Sequence, residues 1–501
     1  MDPVATSVYE VAALRAAEER ALARLGLAPG ALMERAGAAA LAVLRECWPL
    51  ARRVLVLAGP GNNGGDGLVL ARLARTAGLS VTVCAPHLTA AAPSAEVPAG
   101  AEDRALPLTR ERLDAADVVV DALFGIGLNR PPAAPFDAVI RAVNAAGRPV
   151  LSIDVPSGLD ADTGDVRSIA VSASVTVAML AASAGLYLGA GPDYAGRIEV
   201  ATLGADATDF AGASPVLTRL GRHDVERALP RRPRRSHKGR NGHVVVIAGG
   251  PGMSGAARLA GLAALRAGAG LVTLIVHPQS VGAASLDPEL IVHGSEHPDL
   301  AGLMASADVI AVGPGLGQSP WAEAQFAQAL AAARPLVIDA DALNLLAART
   351  APGDLPPAVL TPHPGEAARL LHTTTVAIEA DRRGSVERIA DRYGAVAVLK
   401  GAASLVAARG TVTAVCPAGN PGMAVAGLGD VLTGVIAAIA AQQPDRATGG
   451  VAMLLRAARA GVLVHALAGD RAAQGGERGL IATDVIGALR GAVNPIGPDR
   501  P

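Results

Sequence analysis

Apolar and polar positions change period several times along this chain, and each change marks an element. Over residues 8–25 apolar residues recur at helical spacing and stop at Gly26, which predicts an opening amphipathic helix. Residues 32–37, LMERAG, begin a second. Residues 53–58, RVLVLA, form a continuous apolar run of strand length, followed by the glycine-rich loop GPGNNGGDG (59–67) and a helix over 68–77. Residues 80–84, 117–120 and 150–153 read as further buried strands. The uncharged stretch 168–192 is long enough to span a bilayer, but SASVTV, small residues and GAGP suit a buried strand and a turn better. After a proline- and arginine-rich stretch (219–238) the pattern restarts. A strand is expected at 243–248, the loop GGPGMSGA after it, a helix at 257–267, and strands at 271–276 and 395–399. The glycine-rich run PAGNPGMAVAGLGD ends at Asp430 and passes straight into an apolar helix.

Strand, glycine loop and helix in succession, twice, predict two α/β domains built on parallel sheets. The length of 501 residues agrees, since one ordinary core would not hold it. Composition sharpens this. With 51% hydrophobic residues and 58 glycines the chain reads as compact. Only 2% of residues are aromatic, so Ala, Val, Leu and Ile build the core and stacking platforms for single-stranded nucleic acid are scarce. A formal net charge of -1 gives no electrostatic reason to expect nucleic acid or an acidic membrane as partner. Residues 221–237 therefore read as a solvated basic linker between domains at 1–220 and 238–501. Cys47, Cys84 and Cys416 are odd in number and lack a CxxC, which indicates neither a disulfide framework nor a zinc site. With no basic start followed by an apolar block at the N-terminus, a cytoplasmic protein is expected.

The candidate chemistry sits where strands end. Gly59-x-Gly61-x-x-Gly64 and Gly250-x-Gly252-x-x-Gly255 both match the dinucleotide fingerprint, yet in neither case does the next strand end in the required acid. A dehydrogenase is thereby disfavoured. In an open parallel sheet Asn62, Asn63, Asp66, Asp121, Asp154 and Ser157 could gather in one crevice, where Asn63, Asp121 and Ser157 would offer oxygen ligands to a hard cation. Each could equally serve as a cap or turn residue. In the second half, Lys400 beside Gly401, Ala402, Ala403 and Ser404 could cradle nucleotide phosphates. His363, between two prolines, is rigidly presented. Asp339 and Asp341 could organise magnesium through water or cap the helix that follows. The loop 427–430 combines glycine freedom with the open N–H groups of a helix mouth, an arrangement that holds a phosphoryl group. Asp430 in that first turn is favoured by the helix dipole and expected to stay ionised, ready to take a proton from an alcohol.

GNNGGDG, DALFGIGL and DVPSGLD, in that order, resemble the NAD(P)H-hydrate epimerase domain across nearly all of residues 1–220, and LMERAG is similar to its N-terminal helix. The resemblance implies a Rossmann-like fold that interconverts the R and S epimers of hydrated NAD(P)H. By the same resemblance Asn62, Asn63, Gly64, Gly65, Asp66, Gly125, Ile126, Gly127, Leu128, Asn129, Arg130, Pro131 and Asp154 contact the substrate, and Asn63, Asp121 and Ser157 hold potassium. Arg35 stands where the family usually has asparagine. From about 230 to 490 the succession KGxxG, GPGLG, DADALN, HPGE, KGAAS, GNPGMA and GLGDVLTG resembles the NAD(P)H-hydrate dehydratase, a member of the ribokinase-like superfamily. That implies Asp430 as base, with Ala256, Gly315, Gly317 and His363 on the hydrate. Lys400, Gly401, Ala402, Ala403, Ser404 and Gly429 would bind the nucleotide. The fusion of two domains points to ADP as phosphoryl donor, with magnesium. The substrates expected are NAD(P)HX and ADP, and the assembly expected is a homo-oligomer. Val425-Ala426 and Leu428 depart from the family's Thr-Gly and small residue. The rival reading is an ATP-dependent kinase of a vitamin-precursor alcohol carrying a non-catalytic binding domain.

Overall fold

The computed structural model describes residues 3–28, 30–87, 106–349 and 355–494. Its contacts divide the chain into two compact units, Met1–Thr218 and Arg219–Pro501.

In the first unit six parallel strands, β1 (Arg53–Ala58), β2 (Ser80–Cys84), β3 (Val118–Ala122), β4 (Val150–Ile153), β5 (Val175–Met179) and β6 (Arg197–Ala201), lie in the order β2-β1-β3-β4-β5-β6. Alternation along β1 sorts the core. Val54, Val56 and Ala58 meet α2 (Ala31–Cys47) and α3 (Asn62–Thr76) on one face. Leu55 and Leu57 meet α4 (Arg110–Ala115) and α5 (Phe136–Ala146) on the other. The opening helix α1 (Val11–Leu25) ends at Gly26 in the left-handed conformation, as its spacing predicts. The uncharged stretch 168–192 supplies buried β5 and a buried turn.

Several boundaries differ from the sequence reading; the opening helix starts at Val11 rather than at 8, because Ser7–Tyr9 forms a short strand. Helix α3 begins at Asn62, so most of the GPGNNGGDG run is helical rather than loop. Its glycines serve close packing. A Cβ on Gly64 would stand 2.0 Å from the Gly59 carbonyl oxygen, and one on Gly67 would stand 2.6 Å from Cβ of Ala122. Strand β3 runs two residues further than expected, to Ala122, placing Asp121 inside the sheet opposite Leu57.

The second unit holds β7 (His243–Ile247), β8 (Leu271–Val276), β9 (Ile291–Gly294), β10 (Val309–Val312), β11 (Leu336–Ile338), β12 (Ala358–Leu360), β13 (Val396–Leu399), β14 (Leu405–Ala407) and β15 (Ala414–Val415), in the order β9-β8-β7-β10-β11-β12-β13-β14-β15. Pairing is parallel through β13 and antiparallel in the last two steps. Over one face pack α6 (Ser254–Arg266), α8 (Leu428–Ala441), α9 (Gly450–Ala472) and α10 (Ala482–Ala492), while α7 (Pro364–Leu371) follows β12. Helix α8 is buried from Val431 to Ala441 without a break. At Gly434 it meets α6 backbone to backbone, since a Cβ there would lie 2.1 Å from the Ala260 carbonyl oxygen. Helix α9 is long and apolar enough to cross a membrane, but most of it is buried in this core.

The stretch 221–237 is not wholly a linker. Arg222–Ala228 is helical, Val225 and Ala228 enter the second unit's core, and Gln443 Nε2 donates to the Ala228 carbonyl at 2.6 Å. Nor does Lys238-Gly239-x-x-Gly242 reach the candidate site. Gly242 packs against Ala441 at the far end of α8 from Asp430, about 16 Å of helix away.

Candidate active sites

A cavity of about 870 Å³ opens at the carboxyl ends of the first unit's strands. It is lined by Asn62, Asn63 and Asp66 from α3, by Gly125, Ile126, Gly127, Leu128, Asn129 and Arg130 after β3, and by Asp154 after β4. The first helical bond of α3 runs from Gly65 N–H to the Gly61 carbonyl at 3.2 Å, so the N–H groups of Asn62, Asn63 and Gly64 remain open towards an anion. Both amide atoms of Asn63 are buried and, among the described residues, have no partner. Asp154 adopts φ 71°, a left-handed conformation rare outside glycine, and accepts the Ile126 N–H at 2.8 Å. Burial pushes its carboxyl up to about 6. Burial, aided by Asp154 and Glu18, pushes Asp66 up to about 8.

Beside this cavity Asp121 is fully buried and accepts four hydrogen bonds, from Leu123 N–H, Ser152 Oγ and both Ser157 Oγ and N–H. Burial raises its pKa against those donors. Gly64, Gly65 and Pro131 do not appear in the lining. Gly64 faces Gly59, and a Cβ on Gly65 would press on Met33 at 2.5 Å. Arg35 is an exposed anchor, its Nη1 donating to the Leu203 carbonyl at 2.7 Å. Sequence reasoning missed Arg15, Glu18 and Leu22, which line the same cavity from α1. Their spacing of three, four and seven residues on one helix face carried that signal.

In the second unit the glycine loop after β7 and the GPGLG loop after β10 are tied by backbone bonds, Gly250 N–H to the Gly315 carbonyl at 2.7 Å and Gly249 N–H to the Pro314 carbonyl at 3.1 Å. Ala256 and Gly315 are neighbours there, and Gly317 N–H donates to Asp341 at 2.8 Å. Gly427, at φ 91°, turns the chain into α8, whose first bond joins Val431 N–H to the Gly427 carbonyl at 3.0 Å. The N–H groups of Leu428, Gly429 and Asp430 therefore face outward. His363 caps α7 in a reciprocal box with Glu366. The turn at Gly401 (φ 143°) closes on Ser404, whose hydroxyl donates to the Gly401 carbonyl at 2.9 Å.

Two expectations change. Asp430 is not firmly ionised, because burial first and the Asp339 carboxylate second lift it to about 7 against the pull of Lys400. Helix-dipole stabilisation is smaller than that cost. The Lys400 ammonium is already paired with carboxylates. Its Nζ lies 2.6 Å from Asp339 Oδ1 and 3.6 Å from Glu366 Oε2. Asp339 accepts no bond from the helix it precedes; Thr433 Oγ1 donates to its Oδ2 at 2.7 Å instead.

Fold and sites together define a two-domain α/β enzyme, Rossmann-like in its first unit and ribokinase-like in its second. Residues 29–185 match the family model described as YjeF-related protein N-terminus, and residues 244–490 match NAD(P)H-hydrate dehydratase. The bifunctional NAD(P)H-hydrate repair enzyme Nnr of Coxiella burnetii is 43% identical over 95% of this chain and 97% of its own. That of Escherichia coli is 40% identical over 97% and 94%. A crystal structure of an ADP/ATP-dependent NAD(P)H-hydrate dehydratase from Bacillus subtilis, co-crystallized with ATP and magnesium, is 28% identical and covers 55% of this chain and 96% of that one, with a TM-score of 0.48. The chain belongs to the family of bifunctional NAD(P)H-hydrate repair enzymes.

Proposed function

We propose that the two units carry two successive reactions on one damaged cofactor. The first unit equilibrates R- and S-NAD(P)HX, and the second dehydrates the S form to NAD(P)H while converting ADP to AMP and phosphate. The rival reading, a vitamin-precursor kinase, is not favoured, because relatives named as repair enzymes span both halves.

In the second unit Asp430 accepts the proton of the substrate hydroxyl as that oxygen attacks the terminal phosphorus of ADP, and AMP leaves. Water is a poor leaving group and phosphate a good one. The carbon–oxygen bond then breaks with its electron pair on phosphate, the ring nitrogen's lone pair fills in, and loss of a ring proton restores the dihydropyridine. The outward N–H groups of Leu428 and Gly429 steady the phosphoryl group, and magnesium enters with the nucleotide. Gly401, Ala402, Ala403 and Ser404 form the turn that receives the nucleotide, while Ala256, Gly315, Gly317 and His363 receive the hydrate. The observation that carries this reading is a half-buried carboxyl at about 7 beside an open helix mouth. A base with that value has both a usable ionised fraction and a strong pull on a proton at neutral pH.

In the first unit the open N–H groups of Asn62 and Asn63 suit the pyrophosphate, and Asp66, Asp154 and residues 125–130 surround the hydrated ring. Potassium fits beside them. The donor set of Asn63, Asp121 and Ser157 is all oxygen, and the buried amide of Asn63 lacks a partner until a ligand supplies one. That ion would fix the loop carrying Phe124, whose N–H donates to Ser157 Oγ at 2.9 Å. The free, dispersed cysteines suit a cytosolic setting.

The test is to supply purified protein with hydrated NADH, magnesium and either ADP or ATP and follow return of the reduced-cofactor absorbance. Nucleotide consumption that ignores the hydrate overturns the proposal.

A further inference from the structure

Five polar side chains under the mouth of α8 form one connected cluster that nucleotide binding does not explain. Thr433 donates to Asp339, Asp339 pairs with Lys400, Lys400 reaches Glu366, and Glu366 lies 3.4 Å from His363 Nε2. They come from α8, the end of β11, the end of β13 and α7, so four separate elements converge, with His363 at the exposed edge. Asp339 and Glu366 are 1% and 5% exposed.

We propose that Asp339 and Lys400 are positioning residues for Asp430, holding that carboxylate at the basicity dehydration needs, and that the Lys400 ammonium is not a ligand of nucleotide phosphate. The proposal rests on the reading of Asp430 as the base.

Geometry places the pair beneath the helix mouth. A Cβ built on Gly429 would stand 3.4 Å from Lys400 Nζ and 3.5 Å from Asp339 Oδ2, so both groups sit directly under the residue that precedes Asp430. Burial alone would weaken the ammonium, but Asp339, Glu366 and Asp430 together carry Lys400 above its ordinary value, so it remains charged and committed to carboxylates.

A charge count gives the function. Asp339 and Glu366 against Lys400 leave one uncompensated negative charge before Asp430 ionises. An ionised Asp430 adds a second, and taking the substrate proton removes it again. The cluster thus favours proton uptake by the base at the moment the hydroxyl oxygen attacks. Among the charged groups around it, Arg369 on α7 is a cation near His363, with its Nε donating to the neutral Asn344 amide at 2.7 Å, and it offsets part of this charge from the outer end of the cluster. His363 and His465 are both held towards the neutral form by burial, and Asp341 adds a negative charge. Arg382 spends its guanidinium on Glu379 and the Lys400 carbonyl, and Arg258 on α6 is turned to Asp287. On α8 itself Asp430 is the sole charged residue.

The experiment measures kcat for dehydration against pH, with saturating S-hydrate, magnesium and ADP, for the full chain and its variants. Asp339→Asn moves the acidic limb to lower pH by about one unit and lowers the plateau, because the base is weakened. Lys400→Met moves the limb up by about one unit and leaves KM for ADP within about threefold. Glu366→Gln, which retains the capping geometry, moves the limb down by less and serves should Asp339→Asn fail to fold. A Lys400→Met enzyme with KM for ADP raised about tenfold or more and an unmoved limb overturns the proposal. Asp430→Asn separates the two claims. If it keeps the wild-type rate, the base assignment itself is wrong; if it is dead while the other limbs stay put, only the tuning role fails.

Discussion

The two active sites use their polar groups in opposite ways. In the first unit the groups facing the cavity are left open. Asn63 has no partner for either amide atom, and Asp66 takes no hydrogen bond among the described residues and is pushed up to about 8. In the second unit the groups are spent on one another before any ligand arrives: both oxygens of Asp339, the ammonium of Lys400 and both oxygens of Glu366 are engaged. An open site is completed by its substrate and ion, so it gains stability and order on binding. A pre-assembled site has already fixed its electrostatics, which is what a proton transfer coupled to phosphoryl attack requires.

The sharpest way to break this contrast is Asp430→Asn. Dehydration should fall by about 10³-fold while epimer exchange persists, because the two reactions use separate carboxylates. Loss of both in one assay would end the two-site account. Next in size is Asp121→Ala. With the carboxylate that orients Ser157 gone, the potassium concentration for half-maximal epimer exchange should rise about tenfold or more, and an unchanged potassium response removes the ion from this unit.

A smaller effect lies in pH dependence. Dehydration should rise as pH climbs through about 7, since the base works only when ionised, and a profile flat from pH 6 to 8 would contradict the placement of Asp430. The smallest concerns stability. The raised Asp66 carboxyl keeps its proton in the folded state while the unfolded chain has already released it. Stability is therefore full below about 4 and falls as pH rises towards about 8. Asp66→Asn should lessen that fall, read as a melting temperature that drops less between pH 5 and 8 at fixed potassium.

Much of this was legible in the chain. Strand β8 falls where its apolar run lies, and helix α8 begins where GLGD meets an apolar run. What failed did so for physical reasons. Glycines at 64, 65 and 67 read locally as loop, yet they lie in helix α3, where the Gly59 backbone, the Met33 side chain and the Ala122 side chain leave no room for a Cβ, a fact of packing that sequence spacing does not carry. The helix Arg222–Ala228 was hidden inside a basic run, since two buried residues suffice to dock it. Asp430 seemed destined to ionise because the dipole is local, whereas burial, joined by Asp339 from 91 positions earlier in the chain, outweighs it. Lys400 and Asp339 are 61 residues apart, so no motif window contains both.

Gly434 gives the second reaction an unusual kind of rigidity. One turn beyond Asp430, α8 comes down on the Ala260 main chain of α6 with no side chain of its own in between. A side chain could be trimmed or swapped to retune such a joint gradually, but bare peptide offers no such dial. Descendants of this protein can adjust the rims of the cleft freely, while the seat of the carboxylate itself can only be kept or lost.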